Sequence, residues 1–284
     1  MLLSMDSGIS ALAQLQDSLN NTANNIANVQ TTGFKSASMT FADTFSQTLG
    51  LGGAAGPMQI GTGVGIASIQ NDWRMGAVSS TGNANDMAIN SPNGFFLVKD
   101  PNTQETFATR DGSFKNVGGY LTTSSGMRVQ GNTTGVAGGP VGDIQIDNTG
   151  ATKIDPLTGA TVPDTSAVTG YSFGADGTLK VQLAGNNTFT RGQILLQNYS
   201  SPQQLLKVGN NLYSNLSAAS PLATPLPPGS GGLGQLKTGA LEMSNVDLAK
   251  ELTTLITTQR AYEANSKAIT TSDEILNTLV NLKR

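Results

Sequence analysis

From Met5 onward, Ile9, Leu12, Gln16, Leu19, Ala23 and Ile26 recur at steps of four and three. That spacing lines one face of an α-helix, and Leu15 and Val29 widen the stripe. A helix over Met5 to Val29 would be about 37 Å long at roughly 1.5 Å per residue. Its other face is Ser, Gln, Asn and Thr. Asn20, Asn21, Asn24, Asn25 and Asn28 weaken it, because their amides compete for backbone hydrogen bonds. The pattern predicts a helix that forms fully when neighbouring molecules supply packing and amide partners. Thr31-Thr32-Gly33 is the stop signal, with Gly33 suited to a left-handed cap.

The far end carries a second and longer stripe, Leu248, Leu252, Leu255, Gln259, Tyr262, Ser266, Ile269, Asp273, Leu276 and Val280. Asn245 or Asp247 is placed to cap this helix. Ile256, Ile275, Leu279 and Leu282 form an adjoining stripe, and Lys283 and Arg284 complement the helix dipole at its C-terminal end. A helix with two apolar sides needs more than one neighbour. The N-terminal helix is one; the other is the body of the protein or another copy of the chain.

Between the two helices the periodicity changes from helical to strand-like. Residues 33–72 read as a connecting segment: Phe34, Phe41 and Phe45 in a short helical or irregular stretch, then a flexible joint at Gly50–Gly56 closed by Pro57. Residues 73–219 read as an antiparallel β body, since no crossover long enough for a helix intervenes. Gly94-Phe95-Phe96-Leu97-Val98 has the character of a buried strand. Phe107 to Phe114 has the outline of strand, turn and strand, with Asp111-Gly112 at the turn. Tyr171-Ser172-Phe173 and Thr178-Leu179-Lys180-Val181 flank Gly174 to Gly177, a hairpin signal. Residues 131–170 form a variable excursion. Residues 220–244, rich in proline and glycine, read as a return linker before the C-terminal helix at 245–284. The fold class is α+β, mainly β, with paired terminal helices in a coiled-coil-like inner domain and an antiparallel β-rich domain between them.

Composition narrows the chemistry. Charged residues are only 12% of the 284, and 16 basic against 19 acidic residues give a net charge of −3. That balance gives no long-range attraction for nucleic acid or anionic membrane. No basic residue precedes Lys35, and no apolar run is long enough to cross a bilayer. Cysteine and histidine are both absent, which removes thiolate and imidazole metal sites, Cys nucleophiles, His bases and disulfides. Gly61-Thr62-Gly63-Val64-Gly65 lacks the Lys-Ser/Thr ending of a phosphate loop. Asp111-Gly112 and Asp176-Gly177 lack calcium-loop spacing and read as turns. No catalytic, cofactor or metal site is expected, and the protein is not read as an enzyme. Arg260, Glu263 and Lys267 are spaced for weak ion pairs along the last helix.

Several blocks carry a resemblance. They are Ser7-Gly8-Ile9-Ser10-Ala11, Asn24-Asn25-Ile26-Ala27-Asn28-Val29 and Thr32-Gly33-Phe34-Lys35 at one end. At the other they are Gly239-Ala240-Leu241-Glu242-Met243-Ser244-Asn245-Val246-Asp247-Leu248 and Gln259-Arg260-Ala261-Tyr262-Glu263-Ala264-Asn265. Asp86-Met87-Ala88-Ile89, Gly94-Phe95-Phe96 and Thr109-Arg110-Asp111-Gly112-Ser113-Phe114 match in the middle. Together they resemble the bacterial flagellar rod and hook axial proteins. The run 170–179 and the ending 278–284 favour a short-form hook protein, and the chain length leaves the distal rod as the alternative. A β-rich surface-binding protein is the alternative from another class.

The resemblance implies a subunit exported without signal cleavage through the flagellar type III apparatus, which polymerises into a tube of the basal body or hook, outside the cell. Its partners would be copies of itself and rod, hook-cap and hook–filament junction proteins, with no nucleic acid and no membrane-spanning segment. It implies subunit packing through Met5, Ile9, Leu12, Leu19 and Ile26 of the first helix and Leu248, Leu252, Leu255, Tyr262, Ile269, Leu276 and Val280 of the last. Asn24, Asn25, Asn28, Gly33, Phe34, Ser244, Asn245, Gln259 and Arg260 are the motif positions.

Overall fold

The computed structural model describes residues 2–50, 58–135, 138–154, 161–185, 187–222 and 224–282. The expected joint at Gly50–Gly56 and the terminal Lys283-Arg284 pair lie largely or wholly outside them. Two compact units emerge: residues 1–29, 35–72 and 246–284 form one, and residues 30–34 with 73–245 form the other.

In the first unit, helix α1 runs Leu2–Ala27 and helix α2 runs Leu248–Leu282. The two pack together, with Gly8 against the Ile269 side chain. Of the two candidate caps, Asp247 does the work: its Oδ1 accepts the Ala249 and Lys250 N–H groups at 3.0 and 3.2 Å. The phenylalanine stretch after α1 is strand, not helix: Ala37–Asp43 pairs antiparallel with Val64–Asn71. The reason lies in the helix. Asn25 accepts from the Ala37 N–H at 3.0 Å and donates to the Ala37 carbonyl at 2.9 Å, while Asn21 donates to that carbonyl at 2.8 Å. These amides satisfy one residue of the ribbon as a neighbouring strand would.

The second unit is built on a twelve-stranded sheet in which every described pairing is antiparallel. Its main path runs Val168–Phe173, Thr178–Leu183, Thr188–Ile194, Arg128–Asn132, Phe95–Lys99, Thr106–Thr109, Leu212–Ser214 and Leu206–Gly209. The expected hairpin at Gly174–Gly177 is present, with Phe173 opposite Leu179. Strand alternation sends neighbouring side chains to opposite faces. Phe96 therefore enters the main core with Met87, Phe114, Leu179 and Ile194, whereas Phe95 joins Tyr199, Tyr213 and the half-buried Trp73.

Two features of this unit differ from the sequence reading. Asp111-Gly112 is no hairpin turn, because Thr106–Thr109 pairs with Phe95–Lys99 and Leu212–Ser214 instead. Gly112 lies against Met87, whose N–H donates to its carbonyl at 3.1 Å, and a Cβ there would meet the Met87 carbonyl oxygen at 1.7 Å. The stretch 220–244 is also no free linker. Leu233 and Leu236 are buried in the main core, and Leu236–Thr238 and Ala240–Glu242 are strands paired with Met87–Ile89 and Val78–Ser80. Its glycines and prolines shape a packed return path rather than a mobile one.

Candidate assembly interface

The first unit has helices but almost no core. Among its described residues the buried side chains are Thr22, Asn25, Lys35 and Thr258, and no apolar side chain is buried. Met5, Leu12, Leu19 and Ile26 of α1, and Leu255, Tyr262, Ile269 and Leu276 of α2, are half-buried. The rest of the predicted packing set is exposed: Ile9, Leu248, Leu252 and Val280 are 44–66% accessible.

For Leu248 and Leu252 the reason is a rotation of the inward face. On α2 the covered positions interleave as Leu255, Thr258, Tyr262, Asn265, Ile269, Ser272 and Leu276. Three of these seven positions are therefore small and polar, and the apolar positions 248 and 252 fall to one side of the row. Ile256, Ile275, Leu279 and Leu282, the adjoining stripe, are exposed as well, as are Phe41, Ile66 and Ile69 on the ribbon. Isolated exposed apolar residues are ordinary in soluble proteins; a unit that exposes this many and buries none is not.

Exposed threonines on α2 add little polarity to this surface. Thr253, Thr257, Thr270, Thr271 and Thr278 each donate their hydroxyl to a carbonyl three or four residues earlier, at 2.8–2.9 Å. A hydroxyl already bonded to the helix loses little when a neighbour covers it, because the bond survives dehydration.

The motif residues separate into three roles. Asn25 fastens the ribbon, while Asn28 donates to the Asn24 carbonyl and side-chain oxygens at 2.9 and 3.0 Å, closing the end of α1. Gln259 and Arg260 are exposed, and Arg260 pairs with Glu263 at 3.0 Å. Exposure holds the worth of that pair to a few tenths of a kcal/mol, about 0.3. Gly33, Phe34 and Asn245 belong to the second unit, as does Ser244. Asn245 donates to the Arg74 carbonyl at 3.1 Å.

There the three matching blocks meet. Gly33 has a φ of +68° and lies so close to the Arg110–Asp111 backbone that a Cβ would sit 2.7 Å from the Asp111 nitrogen. Its N–H donates to the Glu242 carbonyl at 2.8 Å. Thr32 donates to Asp111 Oδ1 at 3.0 Å, and the Phe34 ring lies 4.7 Å from the Lys207 ammonium.

Beneath this segment is an ion pair that sequence reasoning missed. Arg110 and Glu242 have fully inaccessible side chains, 3.4 Å apart. Glu242 Oε1 also accepts the Gly76 N–H at 3.0 Å. Arg110 donates to the Ser91 carbonyl at 2.9 Å and to the Pro92 carbonyl, with its guanidinium 4.9 Å from the Phe95 ring centre. Burial pulls the Arg110 pKa below the ordinary arginine value, against the Glu242 carboxylate, which raises it. The signal was available: Arg110 is two residues beyond the buried Ala108, hence on the inward face by alternation. A charge at such a position calls for a buried partner.

No cluster of three or more potential metal ligands occurs among the described residues, and no described helix is long and apolar enough to cross a membrane. Comparison with known proteins matches three stretches of the chain. Residues 5–35 match the family described as flagella basal body rod protein, residues 88–181 the flagellar hook protein FlgE/F/G D1 domain, and residues 237–282 the flagellar basal body rod FlgEFG protein C-terminal family. The flagellar basal-body rod protein FlgG of Bacillus subtilis is 36% identical to this chain, with both covered in full. The protein of that name from Borreliella burgdorferi is 32% identical, again with 100% of both covered. The flagellar hook protein FlgE of Salmonella typhimurium is 26% identical over 99% of this chain and 100% of its own length.

Proposed function

We propose, since the chain belongs to the family of flagellar basal-body rod and hook proteins, that it is a structural subunit of the rod. This is the distal-rod reading that the sequence placed second. Relatives named as rod proteins align at 32–36% identity without the extra length that stretches the hook alignment to 418 positions. That difference supports rod over hook.

One observation carries the assembly reading: the first unit buries no apolar side chain among its described residues while exposing apolar side chains on both α2 and the ribbon. Burying a large side chain contributes about 1.5–3 kcal/mol, and roughly half of that where half its surface is already covered. Several such residues per subunit suffice to drive addition to a polymer after ordering costs are subtracted. The subunit would reach its site through the flagellar export apparatus and meet other rod proteins there. The second unit has a core of its own.

The test has two parts. Concentrated protein examined by electron microscopy should show ordered tubes, and an antibody to the second unit should mark isolated basal bodies on the rod, inside the outer ring. A label on the hook alone returns the assignment to hook. Monodisperse protein at every concentration, without any basal-body label, overturns the assembly reading.

A further inference from the structure

Two short strands near the start of the second unit are completed only by its end. Val78–Ser80 and Met87–Ile89 stand outside the twelve-stranded sheet, and among the described residues their only strand partners are Ala240–Glu242 and Leu236–Thr238. The second of these early strands lies deep, with Met87, Ala88 and Ile89 fully buried. Backbone groups at that depth need partners, and here the partners come late in the chain: Ser80 precedes its acceptor Gly239 by 159 residues. Other parts of the unit depend on the same stretch. Leu196 exchanges two backbone hydrogen bonds with Leu226, both 2.9 Å, the Leu236 N–H donates to the Ala175 carbonyl at 2.9 Å, and the Gly33 N–H donates to the Glu242 carbonyl at 2.8 Å. Leu233 and Leu236 fill the main core, and Glu242 supplies the carboxylate facing the buried Arg110. Residues 226–242 therefore complete a core strand, a hairpin turn, the segment that follows α1 and a buried charge. Without them the unit keeps buried donors that lack acceptors and a guanidinium that lacks its counter-charge.

We infer that residues 226–242 are a closing latch, and that the second unit has no stable folded form until they dock. A stretch rich in glycine and proline ordinarily opens by itself, at far less cost than the core it lies on. This one cannot, because its release strands groups in every other part of the unit. The latch also sets an order in time. Arg110 and Glu242 are 132 residues apart, so at about 5–20 residues per second a chain made N-terminus first presents Arg110 roughly 7–26 s before its carboxylate. Over that interval the unit stays open, and closure across so long a separation is intrinsically slow. For a subunit that passes through the export apparatus as an unfolded chain, the latch holds the body open until only α2 remains to be made. That use rests on the export reading of the proposed function; the latch itself does not.

Hydrogen exchange of the full-length wild-type chain tests the latch. The Leu236 and Gly239 N–H groups, bonded to the Ala175 and Asp86 carbonyls, report on the segment, and the Leu121 and Ile144 N–H groups, bonded to the Ile144 and Val129 carbonyls, report on the core. Corrected for intrinsic rates, the latch pair should exchange no more than about tenfold faster than the core pair, because only opening of the whole unit releases it. A larger ratio means that the latch opens over an intact core, and it overturns the inference. Leu236→Ala in the full chain gives a second measurement, since it should speed exchange at Leu121 and Ile144 by about tenfold or more. Faster exchange at Gly239 with Leu121 and Ile144 unmoved overturns the latch; for a variant that does not fold, the wild-type ratio decides. A chain that passes both measurements yet never reaches basal bodies overturns the export reading alone.

Discussion

Replacing Glu242 with leucine should be among the most damaging single changes in the second unit. The substitution puts an apolar side chain of similar size in place of the carboxylate and leaves the Arg110 charge buried at 0% accessibility without its partner. It also strips the Gly76 N–H of its acceptor at 3.0 Å. Breaking a buried ion pair from one side costs about 3–5 kcal/mol. At about 1.4 kcal/mol per tenfold this is a loss of roughly a hundredfold to several thousandfold in the folding equilibrium. The discriminating partner is Arg110→Met combined with Glu242→Leu, which removes both charges. The Ser91 and Pro92 carbonyls then lose their donor, but no unpaired charge remains, so the double variant should be less destabilised than Glu242→Leu alone, with a coupling of about 2 kcal/mol. Urea unfolding of the full chain, followed by fluorescence of the single tryptophan, reports on this region directly. Trp73 stands 5.3 Å from Phe95 and 5.1 Å from Tyr213, ring centre to ring centre, and Phe95 carries the Arg110 guanidinium. A cost below about 1 kcal/mol for Glu242→Leu, or strictly additive single variants, would refute the reading of this pair as a coupled, buried support of the second unit.

Four further outcomes follow from the same geometry. Gly33→Ala should destabilise the second unit by about 1–3 kcal/mol or more, since an alanine is strained at φ +68° and its Cβ meets the Arg110–Asp111 backbone; a lowered urea midpoint checks this. Asn25→Ala strands the Ala37 N–H and carbonyl at a cost of about 1–3 kcal/mol, and the Ala37 amide should exchange its hydrogen faster while Trp73 fluorescence is unmoved. Leu255→Asp places a carboxylate in the α1–α2 seam and should abolish tube formation, at about 2–3 kcal/mol in helix pairing, with the β body still folded by the Trp73 signal. Hydrogen bonds from Ser166 and Asn187 hold Asp164 at about 2. Its contribution is therefore complete above the ordinary value near 4 and lost as pH falls through about 2, and acid titration of Asp164→Asn should show a shallower loss over that window.

The elements themselves were legible because periodicity is a local property. Steps of four and three marked both helices, and alternation with Gly-Ala-Asp-Gly marked the hairpin whose Phe173 and Leu179 pair in register. Partner choice was not legible, because it depends on chain segments far apart in sequence. Phe41 lies in a strand because Asn25, sixteen residues earlier, holds the strand's first residue through a pair of hydrogen bonds. Asp111-Gly112 carries a turn signature yet serves as a docking surface, since Gly112 lies on Met87 and Gly33 on Asp111. Local turn chemistry yielded there to a close backbone approach that only a folded chain supplies.

The candidate interface shows the limit most clearly on α2. A stripe of leucines predicts that some face is buried, but it does not say by what. Positions 248, 252 and 280 continue the heptad of Leu255, Tyr262, Ile269 and Leu276, so the sequence assigns all of them to one seam. In the folded chain, Thr258, Asn265 and Ser272 take the alternate places opposite α1, and the leucines at 248 and 252 remain uncovered. The exchange is tolerable because Thr258 donates its hydroxyl to the Thr254 carbonyl at 2.8 Å and so enters the seam without an unpaired donor. A seam that accepts satisfied hydroxyls between the two helices of one chain leaves the larger apolar side chains for surfaces the chain cannot supply. The placement of ordinary hydrophobes on the outside, and of threonines within, is therefore the feature that ties this sequence to assembly.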